Sequence, residues 1–216
     1  MLKRYIFLLC MLCVVCCFAG AGKEVPQGTL FLPVPDARFY TALDVDIDGD
    51  GKMEIIAAGQ QGSGHDHAGL IALYSIKNDK LDPLSRYVFK VTHQGKEQPT
   101  RIRSIVVLPH RNSGLLEVYT SGRGGADEEG IGFLRQSVFS IETKSFKEIT
   151  THIFQQKNSS YTHGYPLNLI QLPQDAAGTA VVYGGFSSNP GGSGDIADVH
   201  IFKKGASGKI SETPLR

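Results

Sequence analysis

The chain has 216 residues, with 22 Lys plus Arg against 21 Asp plus Glu and a formal net charge of +1. A balance this close to zero leaves no basic footprint for nucleic acid or for an anionic membrane surface, which argues against both as partners. All four cysteines, Cys10, Cys13, Cys16 and Cys17, stand near the N-terminus, so the rest of the chain has neither a disulfide framework nor a cysteine zinc site.

Residues 1–21 read as a secretory signal peptide. Lys3 and Arg4 precede an apolar run from Ile6 to Phe18, which closes on Ala19, Gly20 and Ala21. Cleavage after Ala21 predicts a secreted, periplasmic or cell-surface protein with no membrane span in the mature part. A membrane anchor is the rival reading, but the uncharged stretch only just approaches the spanning length. A lipoprotein signal fits less well, because Val15 and Cys16 precede Cys16 and Cys17 where a small residue is expected. Without Lys3 and Arg4 the remainder carries 20 basic and 21 acidic side chains. Lacking disulfides, it must draw its stability from an apolar core, with bound metal as the natural supplement.

Beyond the signal the sequence repeats one plan. The segments Glu54 to Gly59 (EIIAAG), Glu117 to Gly122 (EVYTSG) and Ala180 to Gly185 (AVVYGG) end on glycines spaced by 63 residues. Each follows a β-rich run, at Tyr40 to Val45, Ile102 to Leu108 and Pro166 to Leu172. Each precedes a polar, Gly-rich stretch and a third run, at Leu70 to Ile76, Ser137 to Ile141 and Asp198 to Phe202. A fourth run appears at Arg86 to Val91 and at Glu148 to Phe154. Short runs of Val, Ile, Tyr, Phe and Thr bounded by Gly, Pro, Asn and Asp are strand signals, and no sustained helical period occurs.

This pattern predicts an all-β fold: a domain over residues 22–216 of β-propeller blades, each of four antiparallel strands, near 36–98, 99–162 and 163–216. A two-sheet, immunoglobulin-like sandwich is the alternative. About three blades are too few for a closed ring, and the third stops where its fourth strand should form. Thr29 to Pro33 (TLFLP) is a candidate for the missing outer strand. Self-association of copies, or a longer parent chain, are the other routes to a complete propeller, since open sheet edges invite pairing.

Residues 44–56 read DVDIDGDGKMEII and carry the main chemical signal. Starting at Asp46, acids occupy positions 1, 3 and 5, with Gly51 at 6, Lys52 at 7 and Glu54 at 9. Alternate carboxylates in a tight loop converge on one point, Gly51 permits the bend, and the Lys52 carbonyl adds a neutral oxygen; hard oxygen ligands suit calcium. The helix-loop-helix calcium site is excluded because its twelfth position holds Ala57 and a strand follows. A solvated acidic turn is the plain alternative.

The run from Tyr40 to Gly59, with its D-x-D-x-D-G-x-x-[DE] core leading into an apolar strand, resembles the FG-GAP or VCBS repeat of integrin-α-like propellers. The resemblance implies a propeller, seven-bladed in complete members, with calcium in the loop between the first two strands of a blade. Matched residue by residue, the implied ligands are Asp46, Asp48, Asp50, the Lys52 carbonyl and Glu54, where the family more often has Asp. The later repeats place Pro109, Arg111 and Ser113, then Leu172, Gln174 and Ala176, opposite the three aspartates. One calcium ion is therefore expected, in a structural role.

His65, Asp66 and His67 offer two imidazoles and a carboxylate, but no third strong transition-metal ligand is visible, so a solvated loop is favoured. The Gly-rich stretches after the second strand of each repeat should project from one face, opposite the aspartate loop. On that rim His65, Asp66, His67, Arg123, Asp127, Glu128, Asn189 and Asp195 are candidates for holding a polar ligand. No G-x-S-x-G elbow, phosphate loop or catalytic set is present. The expected function is thus a binding or interaction module for a protein or a glycan. A polysaccharide-degrading lyase or esterase, or a fragment of one, is the alternative by fold-level analogy.

Overall fold

The computed structural model describes residues 36–64, 66–78, 80–110, 114–125, 130–155, 161–171, 179–188 and 195–213. Among them every regular element is a strand. The first sheet is a meander of β1 (Ala37–Val45), β2 (Glu54–Gln61), β3 (Ala68–Lys77) and β4 (Lys80–Phe89). A small hairpin of β5 (Val91–His93) and β6 (Lys96–Gln98) follows, with no separate sign of it in the residue pattern. The second sheet comprises β7 (Thr100–His110), β8 (Leu115–Gly124), β9 (Ile131–Ser140) and β10 (Ser145–Phe154). The third comprises β11 (Tyr161–Gln171), β12 (Thr179–Ser188), β13 (Asp195–Lys204) and β14 (Ile210–Thr213). All pairings are antiparallel.

The third sheet does possess a fourth strand, contrary to the expectation that the chain stops too early for one. It is short, at four residues. Thr29 to Pro33, the candidate replacement, lies outside the described residues.

The three sheets stack face to face in chain order. Ile56, Ala58, Ile71 and Leu73 of the first sheet share a core with Ile102, Ile105, Leu116, Val118, Ile131, Phe133 and Phe139 of the second. The opposite face of the second sheet presents Tyr119 and Leu134 to Val181, Tyr183, Phe202 and Ile210 of the third. A middle sheet covered on both sides is incompatible with a two-sheet sandwich. First strand lies against first strand, with β7 beside β1 and β11 beside β7. Fourth meets fourth as well: Tyr87 of β4 stacks on Phe146 of β10 at 5.3 Å between ring centres, and His152 of β10 approaches the Ile210 carbonyl of β14 at 3.2 Å.

The recurring glycines have a steric cause. In β1 the ladder slips between Phe39 and Thr41, opposite Gly59, and in β7 between Ile102 and Ser104, opposite Gly122. Each bulge pushes a carbonyl of the first strand into the space a side chain on the second would need. A Cβ at Gly59 would lie 1.9 Å from the Arg38 carbonyl oxygen, and one at Gly122 would lie 1.9 Å from that of Arg101. In β11 the slip falls between Tyr165 and Leu167, opposite Gly184 and one residue from Gly185. Pro166 takes the extra position there, where a missing N–H is tolerated. Gly122→Ala is therefore expected to destabilise the fold by about 2 kcal/mol or more. The measurement is the urea midpoint, which should fall with its slope unchanged; an unmoved midpoint would show that the bulge relaxes at no cost.

Candidate metal centre

Residues 46–53 connect β1 to β2 and form the aspartate loop. Ile47 anchors it by pointing into the core, 8% exposed. Around this anchor the carboxylates organise the backbone. Asp46 accepts hydrogen bonds from Gly49 N at 2.7 Å and Gly51 N at 3.1 Å, Asp48 accepts from Asp50 N at 3.1 Å, and Asp50 accepts from Lys52 N at 2.8 Å. Gly49 and Gly51 both have positive φ, 78° and 83°, with open space where a Cβ would stand. Their requirement is conformational rather than steric. Gly51 was legible in the motif; Gly49 was the second hinge that the motif did not single out.

Asp46, Asp48 and Asp50 each bring a carboxylate oxygen within 4.8 Å of the other two. Asp46 is half-buried, and Asp48 and Asp50 are exposed. Such a cluster of hard anionic oxygens suits a divalent cation, and without one the charges repel at short range. Lys52 places its ammonium 2.7 Å from Asp50 Oδ2, and this contact holds the Asp50 carboxyl below the usual carboxylate range.

Glu54 stands apart from the cluster. It is 8% exposed at the start of β2, and its Oε2 accepts the Ile47 amide at 3.1 Å. Burial pushes its carboxyl above the ordinary value, aided by repulsion from Asp48, Asp50 and Asp46. In this geometry Glu54 braces the loop from beneath, tying the residue between two candidate ligands to the first turn of the next strand.

The structure divides the candidate rim. His65, Asp127, Glu128 and Asn189 lie outside the described residues, and Asp195 opens β13 opposite Ser188. Asp66 is exposed and pairs with the Lys90 ammonium. His67 and Arg123, expected on the solvent rim, are buried at 3% and 7%. Gly64 O lies 3.0 Å from His67 Nδ1, and Arg101 Nε donates to His67 Nε2 at 3.0 Å. A guanidinium only donates, so Nε2 is the unprotonated nitrogen and its lone pair is already used. That arrangement leaves His67 unsuited to a transition metal and makes it a packing link between the loop after β2 and the start of β7.

A concavity among the described residues lies elsewhere than the candidate rim. It lies at the aspartate-loop end of the sheets, and its lining combines Asp48, Asp50 and Glu54 with Ser75, Phe139 and Lys144. Nothing local in the sequence marks it, because its walls come from turns of two different sheets.

No protein-family model matches the chain, and no curated protein matches it.

His67→Ala would remove a buried ring and its links to the half-buried Arg101 Nε–H and the Gly64 carbonyl. A loss of about 1 kcal/mol is expected, measured by chemical denaturation. Calcium binding at the opposite end of the sheet should be unchanged by the same substitution.

Proposed function

We propose that the chain is an exported, calcium-binding module built from propeller-type repeats of the FG-GAP or VCBS kind, and that it serves in binding a protein or glycan rather than in catalysis. The observation that carries this reading is the convergence of the Asp46, Asp48 and Asp50 carboxylates in a loop between the first two strands of a four-stranded sheet. Three converging carboxylates in a glycine-hinged loop would supply part of the six to eight oxygens calcium takes, with backbone carbonyls and water as the rest.

The propeller reading is supported by the order of the sheets. Successive meanders stack with first strands together and fourth strands together, as blades do around an axis. Three blades form an arc, and Val199 on β13, 57% exposed on the face turned away from the second sheet, marks where a further blade would pack. On this reading that blade comes from a second copy of the chain. Export rests on residues 1–21, which lie outside the described residues. Among the described residues no helix is long and apolar enough to cross a membrane.

In the calcium role proposed here, binding to the native state alone raises stability by mass action, about 2.7 kcal/mol at a hundredfold excess over Kd. Titration calorimetry on residues 22–216 should show one calcium ion per chain, with a matching rise in melting temperature. Asp48→Ala should abolish both. A melting curve indifferent to calcium would remove the site and the reading built on it.

A further inference from the structure

Among the described residues no four-stranded sheet precedes the first or follows the third, so the stack ends in two faces without a neighbour. Inside the stack each contact joins unlike faces. The first sheet offers Ile71 and Leu73 to Leu116 and Phe139 of the second, and the second offers Tyr119 and Leu134 to Val181 and Phe202 of the third. A sheet thus has a trailing face, which meets the sheet after it, and a leading face, which meets the sheet before.

Cross-strand pairing sets the equivalent places. Met53 and Leu116 each precede the glutamate that opens the repeated segment. Gly59 pairs with Leu70 and Gly122 with Phe133, so Ile76 on β3 corresponds to Phe139 on β9. Val88 pairs with Leu70 as Ile153 pairs with Phe133. In the second sheet these leading-face places belong to the core: Leu116 and Phe139 are 0% and 2% exposed, and Ile153 packs against the same cluster. In the first sheet Met53, Ile76 and Val88 are 46%, 47% and 42% exposed. The middle of that face is already packed, with Phe39 and Leu81 against Ala57, Ala72 and Tyr74, so its margin is what stands open.

The trailing face behaves alike. Ile71 and Leu134, paired with Ala58 and Ser121, are buried, whereas Val199, paired with Gly184 at the same place, is 57% exposed. Val182 and Ile201 share its face and are half-buried. Four of the six large apolar side chains exposed among the described residues therefore stand on the two end faces. Single apolar residues scatter over any protein surface, but clustering at places that a neighbouring sheet covers elsewhere marks a contact.

We infer that the two end faces bind each other between copies of this chain, the trailing face of the third sheet on the leading face of a second copy's first sheet, and that two copies close a ring of six sheets. The contact continues the packing already present between the first and second sheets. Because the faces are unlike, it is heterologous, and it either closes or runs on into a filament. Propellers close with about four to eight blades. Two copies of three sheets fall within that range, and three copies fall outside it. The inference rests on the propeller reading above and deepens it, by naming the surface of the second copy and the number of copies.

Sedimentation equilibrium on residues 22–216 should give a dimer and nothing larger. Val199→Asp and Ile76→Asp, exposed sites on opposite end faces, should each weaken the dimer at least tenfold. Mixing the two variants should restore dimers, because such a pair keeps one contact free of either substitution. Met53 is the one methionine after residue 21. In the native chain its oxidation by peroxide should slow at least tenfold as dilute protein is concentrated into dimer, a readout that needs no variant. A native monomer, a trimer or a filament overturns the inference, as does a dimer indifferent to either substitution or a mixture that stays monomeric. Calcium calorimetry on the same samples separates the two readings. A monomer that binds calcium overturns the ring and leaves the calcium module standing; a dimer that binds none does the reverse.

Discussion

β8 and β9 are covered on both faces, and a strand in that position has no solvent side on which to set its charges. Yet Glu117, Arg135 and Gln136 all lie there, each at most 4% exposed. Burying a charge costs several kcal/mol unless it is paired, and burying an amide is also unfavourable without a hydrogen bond, so each demands a partner. Arg135 reaches the first sheet, donating to Tyr87 Oη at 2.6 Å and lying 4.0 Å over the Phe89 ring, while Glu148 on its own sheet neutralises it at 2.8 Å. Glu117 reaches the third sheet through the Lys204 ammonium and takes the Tyr119 hydroxyl at 2.5 Å. Gln136 donates to Gly208 O at 2.8 Å and accepts from Ile210 N at 3.1 Å. These contacts fix how the three sheets sit on one another, which apolar packing alone leaves free to slide.

The same constraint explains what the sequence could convey. Strand identity was legible because Val, Ile, Tyr and Phe cluster in β2, β3, β8 and β9, and block repetition was legible because the bulge in the first strand imposes a glycine on the second. β4 was only half visible: its last residues, Arg86 to Phe89, read as a strand, but Pro83 and the charges around Lys80 and Asp82 hid its start. A register slip there, between Leu73 and Tyr74, gives those residues a place in an outer strand. The hairpin of β5 and β6 was invisible for a related reason, since three-residue strands carry no period to detect. β14 was missed because it offers a single apolar residue, the buried Ile210, followed by Ser, Glu and Thr.

For the site, spacing was informative where one loop supplied every group. Asp46, Asp48 and Asp50 are neighbours in sequence, and alternation alone brings them together. Glu54 matched the motif equally well, but its burial under Ile47 depends on the sheet behind it, which spacing does not encode. The places of His67 and Arg123 were misjudged for a similar reason. His67 and Arg123 stand in Gly-rich, polar stretches that read as solvated, but the backbone there is drawn inward: Thr100 N donates to His67 O at 2.9 Å and Gly125 N to Pro99 O at 2.8 Å. Once those bonds form, polar side chains beside them are carried under the surface.

Glu54 and Glu117 occupy the same place in their repeats, five residues before Gly59 and Gly122, and both face the next sheet. In the first sheet that carboxylate turns back to hold the aspartate loop; in the second it crosses to Lys204. The loop before Glu117 has no acids at the corresponding positions, so no such loop competes for its charge. Where the acids are present, a carboxylate in the shared position braces the loop, and the sheet boundary above it loses a cross-link. The concavity lined by Asp48, Asp50, Glu54 and Lys144 opens at that boundary. The aspartate loop and the cavity are thus two results of one choice in the repeat: an acid spent on its own loop is an acid that no longer ties two sheets together.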